Sequence, residues 1–141
     1  HLSLTFSAKT GKLVSIYNKD SQVKENVSQE LVYYMGQPSS PRASGAYVFV
    51  PVDAVPKSVA PDKVEIKVIK GKLVQEVHQK FASWAYQIVR LYEGAKYAEF
   101  QWVVGPLDDS MGKEVVSKFT TSLNSDDKFY TDSNGREMME R

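Results

Sequence analysis

The chain of 141 residues is long enough for one compact domain, and 42% apolar residues can bury a core without help from metals or disulfides. Its 18 Lys plus Arg against 17 Asp plus Glu lack the positive bias of a protein that tracks phosphates, so nucleic acid is excluded as an expected partner. No stretch approaches the roughly 18 to 20 consecutive apolar residues that span a bilayer, residues 1–10 carry no basic-then-apolar leader pattern, and no cysteine is present. No membrane partner, disulfide framework or thiolate metal site is therefore expected.

The hydrophobic signal runs mainly with period two, which puts alternate side chains on one face of a half-buried strand. Leu2, Leu4 and Phe6 alternate with Ser3 and Thr5, and Lys9-Thr10-Gly11-Lys12 supplies a turn into a second run at residues 13–17, giving a hairpin. Residues 19–30 are polar and read as an exposed loop; they contain Asn26-Val27-Ser28, an N-glycosylation sequon with Asn26 as acceptor. Residues 36–43 and 51–61 are proline-bearing loops that bracket a short apolar strand at residues 44–50.

Val64, Ile66 and Val68 alternate with Lys63, Glu65 and Lys67, and Gly71 turns the chain into Leu73, Gln75, Val77, Gln79 and Phe81, a second hairpin. A third joins residues 84–92 to 96–104 across Glu93-Gly94-Ala95, both arms rich in β-branched and aromatic residues. Two further strands are expected at residues 115–121 and 128–131, separated by the polar turn at residues 123–127. Only residues 137–141 could begin a helix. About ten short strands with regular turn signals predict an all-β, antiparallel β-sandwich forming a single domain portion over residues 1–141.

Residues suited to catalysis are scarce. A hydrolytic metal site needs several His, Asp or Glu ligands converging within about 2.0 to 2.2 Å of one ion, yet there are two histidines, the terminal His1 and His78 in an alternating strand. His78 reads as a satisfied or exposed strand histidine. No Gly-x-Ser-x-Gly elbow occurs. Adjacent carboxylates at Asp108-Asp109 and Asp126-Asp127 diverge on turns instead of facing one substrate. Asp132, Asn134 and Gly135 suit a tight structural turn, from local side-chain bonds and positive φ. The aromatics are more suggestive of function: Tyr33, Tyr34, Tyr47 and Trp84 lie near turns or strand ends, and a tyrosine can both stack on a sugar and hydrogen-bond it.

Read in order, Ser44-Gly45-Ala46-Tyr47-Val48-Phe49-Val50-Pro51, Gly71-Lys72-Leu73-Val74-Gln75-Glu76-Val77-His78-Gln79, Arg90-Leu91-Tyr92, Val104-Gly105-Pro106, Gly112-Lys113-Glu114-Val115 and Phe129-Tyr130-Thr131-Asp132-Ser133-Asn134-Gly135-Arg136-Glu137 resemble the region after the catalytic domain of glycoside hydrolase family 38. The likeness is to its lysosomal or vacuolar α-mannosidases and spans nearly the whole chain; residues 22–40 carry little of it. It implies a galactose-mutarotase-like supersandwich of which this chain is the first portion, within a larger multi-chain or proteolysed enzyme. It also implies a retaining enzyme that releases terminal α-linked mannose from glycans, with zinc held by two His and two Asp, and an Asp nucleophile, all outside this chain.

The tyrosine of the family's Ser-Gly-Ala-Tyr motif matches Tyr47, so the resemblance implies that Tyr47 reaches the substrate. It further implies a homo-oligomeric enzyme of the lysosome or vacuole, or a secreted one, whose other chains or domains are this chain's partners. The competing reading is a stand-alone carbohydrate-binding β-sandwich module, which would share the fold and the aromatics.

Overall fold

The computed structural model describes all residues of 1–141 except Ser40, Asp109 and Met111. It is all-β: among the described residues there is no helix, and the strands form two larger antiparallel sheets and a small hairpin.

The first sheet runs β1 (Leu2–Phe6), β2 (Leu13–Asn18), β3 (Val23–Met35). Because β3 is 13 residues long, it also carries the two-residue β4 (Lys57–Ser58) beyond β2, while β9 (Lys113–Thr121) pairs along its other side from Val27 to Met35. The second sheet is the meander β5 (Glu65–Lys70), β6 (Val74–Ala82), β7 (Ala85–Tyr92), β8 (Glu99–Val104). A separate small hairpin, β10 (Tyr130–Asp132) with β11 (Met138–Glu140), pairs with neither sheet.

The three hairpins read from alternation form as expected. Inward positions carry the apolar residues: Leu31, Ala60, Val64, Phe81 and Ala85 form the core cluster, with Trp84 packed against it and edge-on to Tyr33. The core also holds three buried amides. Gln87 on β7 donates to Gln29 on β3 at 2.9 Å and to Gln79 on β6 at 2.8 Å, Gln29 donates back to Gln87 at 3.1 Å and to Ser117 on β9 at 3.0 Å, and Gln79 donates to the Gly11 carbonyl at 2.7 Å. The sheets are thus bonded to each other through side chains. They are also joined through backbone, since the Val64 amide donates to the Thr10 carbonyl at 2.8 Å.

Three expectations change. Residues 19–30 are a loop only over the turn at 19–22, because β3 begins at Val23 and Asn26 lies within it, opposite Ser15. The alternation is present as Val27, Gln29 and Leu31, all buried, but the polar Gln29 at a core position conceals it. Residues 44–50 are not a strand: the Ser44 hydroxyl bonds both the amide and the carbonyl of Val50, folding the segment back on itself. Residues 137–141 start no helix. A stretch so short cannot offset the cost of nucleating one, and the turn with Asn134 and Gly135 at positive φ returns it onto β10.

Candidate functional site

The segment between β3 and β4 forms a loop closed at its neck. Gly36 bridges Pro51, the Gln37 amide donates to the Val50 carbonyl at 2.8 Å, and the Ser44 amide donates to the Gln37 carbonyl at 3.0 Å. Inside that neck the Ser44 hydroxyl donates to the Val50 carbonyl at 2.6 Å and accepts from the Val50 amide at 2.8 Å. The Gly45 amide then donates to the Val48 carbonyl at 3.0 Å, leaving Ala46 and Tyr47 at the tip. The Tyr47 side chain is wholly exposed, at 101% of its reference area. An aromatic ring so placed loses nothing to its own domain and can enter a neighbouring cavity whole. The loop itself is held on the sheet by hydrogen bonds from the Gly36 amide to the Gly112 carbonyl and from the Val52 amide to the Met35 carbonyl, each at 2.8 Å.

Asn26 is exposed on β3, while its neighbour Val27 is buried. His78 is far from isolated. Glu76 and His78 share the outer face of the second sheet, two residues apart on β6, and Arg90 sits directly across from Glu76 on β7. Glu76 Oε1 accepts from Arg90 Nε at 2.7 Å and its Oε2 lies 2.8 Å from His78 Nε2, while Arg90 also bonds Gln101 on β8. The His78 hydrogen bond, and after it the Arg90 hydrogen bond, hold the Glu76 carboxyl below its ordinary range. The sequence pattern showed the strand but not this cross-strand ladder; opposite charges on one face of paired strands were the available signal. A shallow open hollow of about 310 Å³ lies beside it, lined in part by Lys67, His78, Tyr86 and Ile88.

Asp108, Asp126, Asp127 and Asp132 behave mainly as turn residues. Asp108 accepts from the Ser110 amide at 2.9 Å and from its hydroxyl at 2.8 Å; its neighbour Asp109 lies outside the described residues. Asp126 and Asp127 are exposed at positive φ, and Asp132 accepts from the Gly135 amide at 2.9 Å. Among the described residues no three His, Cys, Asp or Glu side chains gather as a metal site.

These features define an antiparallel β-sandwich that presents one tyrosine on a braced loop and, among the described residues, gathers no group of three His, Cys, Asp or Glu side chains that could hold a metal. The model of the glycosyl hydrolases family 38 C-terminal domain matches residues 1–141, and the chain belongs to that family. It is 44% identical over its whole length to the lysosomal alpha-mannosidase of Homo sapiens, of which it covers 14%, and 41% identical over its whole length to that of Mus musculus, again covering 14%. It is 39% identical over 99% of its length to the alpha-mannosidase of Canavalia ensiformis, covering 15% of that protein. The chain therefore spans about one seventh of the length of these relatives.

Proposed function

We propose that this chain is the first portion of the β-domain of a retaining, zinc-dependent α-mannosidase that removes terminal α-linked mannose from glycans, and that Tyr47 touches the sugar being cleaved. The observation that carries this reading is the wholly exposed Tyr47 ring at the tip of a loop braced by Ser44, in a chain of family 38. A ring with no packing role in its own domain is free to supply a hydroxyl to another one. Among the described residues no three His, Cys, Asp or Glu side chains gather to hold a zinc ion, and the zinc and the Asp nucleophile are proposed to lie in the remainder of the enzyme. Tyr47 binds and orients substrate, and if its hydrogen bond strengthens as the sugar approaches an oxocarbenium-like transition state, it aids the chemical step beyond ground-state binding.

The enzyme is further proposed to reside in the lysosome or vacuole as a homo-oligomer, as the names of its relatives support for location, and to carry an N-glycan on the exposed Asn26. Removal of N-glycans by an amidase should lower the mass of the peptide containing Asn26 to that of the free sequence with Asn26 converted to Asp; an unmodified Asn26 in secreted material would sink that assignment.

Tyr47→Phe in the intact enzyme tests the main reading, because it keeps the ring and removes only the hydroxyl. Loss of a hydrogen bond to a neutral group costs roughly 0.5 to 1.5 kcal/mol, and more where a partner is left buried and unpaired, so kcat/KM for an aryl α-mannoside should fall about three- to thirtyfold. Zinc content and melting temperature should stay unchanged, since Tyr47 packs against nothing in its own domain. Wild-type kinetics would remove Tyr47 from the substrate site.

A further inference from the structure

Tyr47 stands three residues after Ser44 and three before Val50, midway round the loop whose ends those two residues join. A serine hydroxyl can donate and accept at once, and Ser44 uses both capacities on the main-chain groups of Val50, donating to the carbonyl at 2.6 Å and accepting from the amide at 2.8 Å. These are the two bonds that a residue of a narrow antiparallel pair exchanges with its partner. Here a side chain makes them, and it is short enough to lose little rotamer freedom when fixed. The Val50 carbonyl also accepts from the Gln37 amide at 2.8 Å, which ties the closed neck to the chain leaving β3.

The backbone beneath makes room for this closure. Gly36, directly after β3, bridges Pro51 and is anchored through its amide on the Gly112 carbonyl at 2.8 Å. A Cβ at Gly36 would come within 3.1 Å of Ser44 Oγ and 3.2 Å of Phe49 Cε2, tighter than side chains ordinarily pack. The bare glycine thus lets Ser44 and Phe49, both half-buried, settle onto the end of the strand, while Tyr47 between them stays wholly exposed. A ring with no packing of its own takes its position from that neck.

We infer that Ser44 is a positioning residue for mannoside cleavage: by holding the neck closed, it delivers the Tyr47 hydroxyl to the substrate in a single pose. The inference rests on the reading that Tyr47 touches the sugar being cleaved, and adds the residue that sets this contact. Position matters at this scale because a misplacement of about 1 Å can cost about a hundredfold in rate. In Ser44→Ala both bonds to Val50 are lost, the loop spreads over several openings, and the fraction that holds the hydroxyl in place falls.

Ser44→Ala, Tyr47→Phe and the double variant, each in the intact enzyme, test it. Hydrogen exchange at the Val50 amide should quicken at least about tenfold in Ser44→Ala. With zinc content unchanged, its kcat/KM for an aryl α-mannoside should fall about three- to thirtyfold, as in Tyr47→Phe. In the Tyr47→Phe background the same change at Ser44 should cost less than about twofold, because the group it positions is gone. A simple loss of folded enzyme would multiply the two losses instead. Multiplied losses, unchanged exchange at Val50, or wild-type kcat/KM in Ser44→Ala beside a slowed Tyr47→Phe would each overturn the inference while leaving Tyr47 on the substrate. Wild-type kinetics in Tyr47→Phe would mark the failure of the substrate reading itself, and the inference would fall with it.

Discussion

Glu76 illustrates how much of the surface of this domain depends on pairs of residues from different strands. Its carboxyl is held below its ordinary value of 4.5 by hydrogen bonds with His78 and then with Arg90. Because the folded-state value is depressed, the contribution to stability is complete above 4.5 and is lost as pH falls through the lower folded value. Glu76→Gln should therefore lower the neutral plateau of the melting-temperature profile slightly, as expected for a solvent-accessible pair, and flatten the acid limb below that pH by the same small amount. A scan of melting temperature against pH for both forms checks it; parallel acid limbs would show that the pairing carries no pH dependence. At this scale the sequence was partly legible. His78 could be recognised as a strand histidine with Glu76 two residues before it on the same face, but the pairing of Glu76 with Arg90 depends on register, which no local pattern specifies.

Among the elements, the first hairpin shows how tightly one turn is tied to the opposite sheet. Gly11 has φ +70°, and a Cβ added there would lie 2.1 Å from the Val64 carbonyl oxygen, where the Thr10–Val64 hydrogen bond joins the two sheets. Gly94, in the turn between β7 and β8, has a similar φ of +74° with open space around it. Gly94→Ala should cost only the left-handed penalty of about 1–2 kcal/mol. Gly11→Ala should cost clearly more, because backbone must move as well, and chemical denaturation of the two variants side by side would measure the difference. Equal losses would mean that the hairpin shifts without resistance. Alternation made the three long hairpins readable because their inward residues are apolar. It failed at β3, where an amide occupies a core position, and at residues 44–50, where apolar composition suggested a strand but one serine side chain satisfies the backbone that a neighbouring strand would have bonded. The same failure touched the candidate site: Tyr47 was found through its motif, while the neck that presents it comes from bonds between residues six apart.

For the molecule as a whole, the amides of Gln29, Gln79 and Gln87 connect three strands of the two sheets. Gln87→Leu keeps the approximate volume but leaves the Gln29 and Gln79 side-chain oxygens without the donor they share, at about 1–3 kcal/mol for each buried unsatisfied group. The free energy of opening at residues 85–92, read by native-state hydrogen exchange, should fall by an amount of that order. No change would mean that water or rearranged side chains restore the lost bonds. The sandwich architecture itself was legible from strand count and turn spacing, whereas the strand order, with β9 returning to lie beside β3, depends on contacts between residues 78 (Met35 and Lys113) to 94 (Val27 and Thr121) positions apart.

The amide trio also determines alignment. Apolar side chains tolerate a sliding of one strand past its neighbour by two residues, because the same face still points inward. Such a slip would displace Gln29 by about 6.6 to 6.8 Å along its strand, out of hydrogen-bonding reach of Gln87, and would strand several polar groups in the dry interior. The three glutamines therefore act as a key between the sheets, admitting one registration and rejecting its neighbours. The loop bearing Tyr47 emerges from β3, the strand that carries Gln29, so the error in where that ring stands is limited at its origin by a bond in the middle of the core.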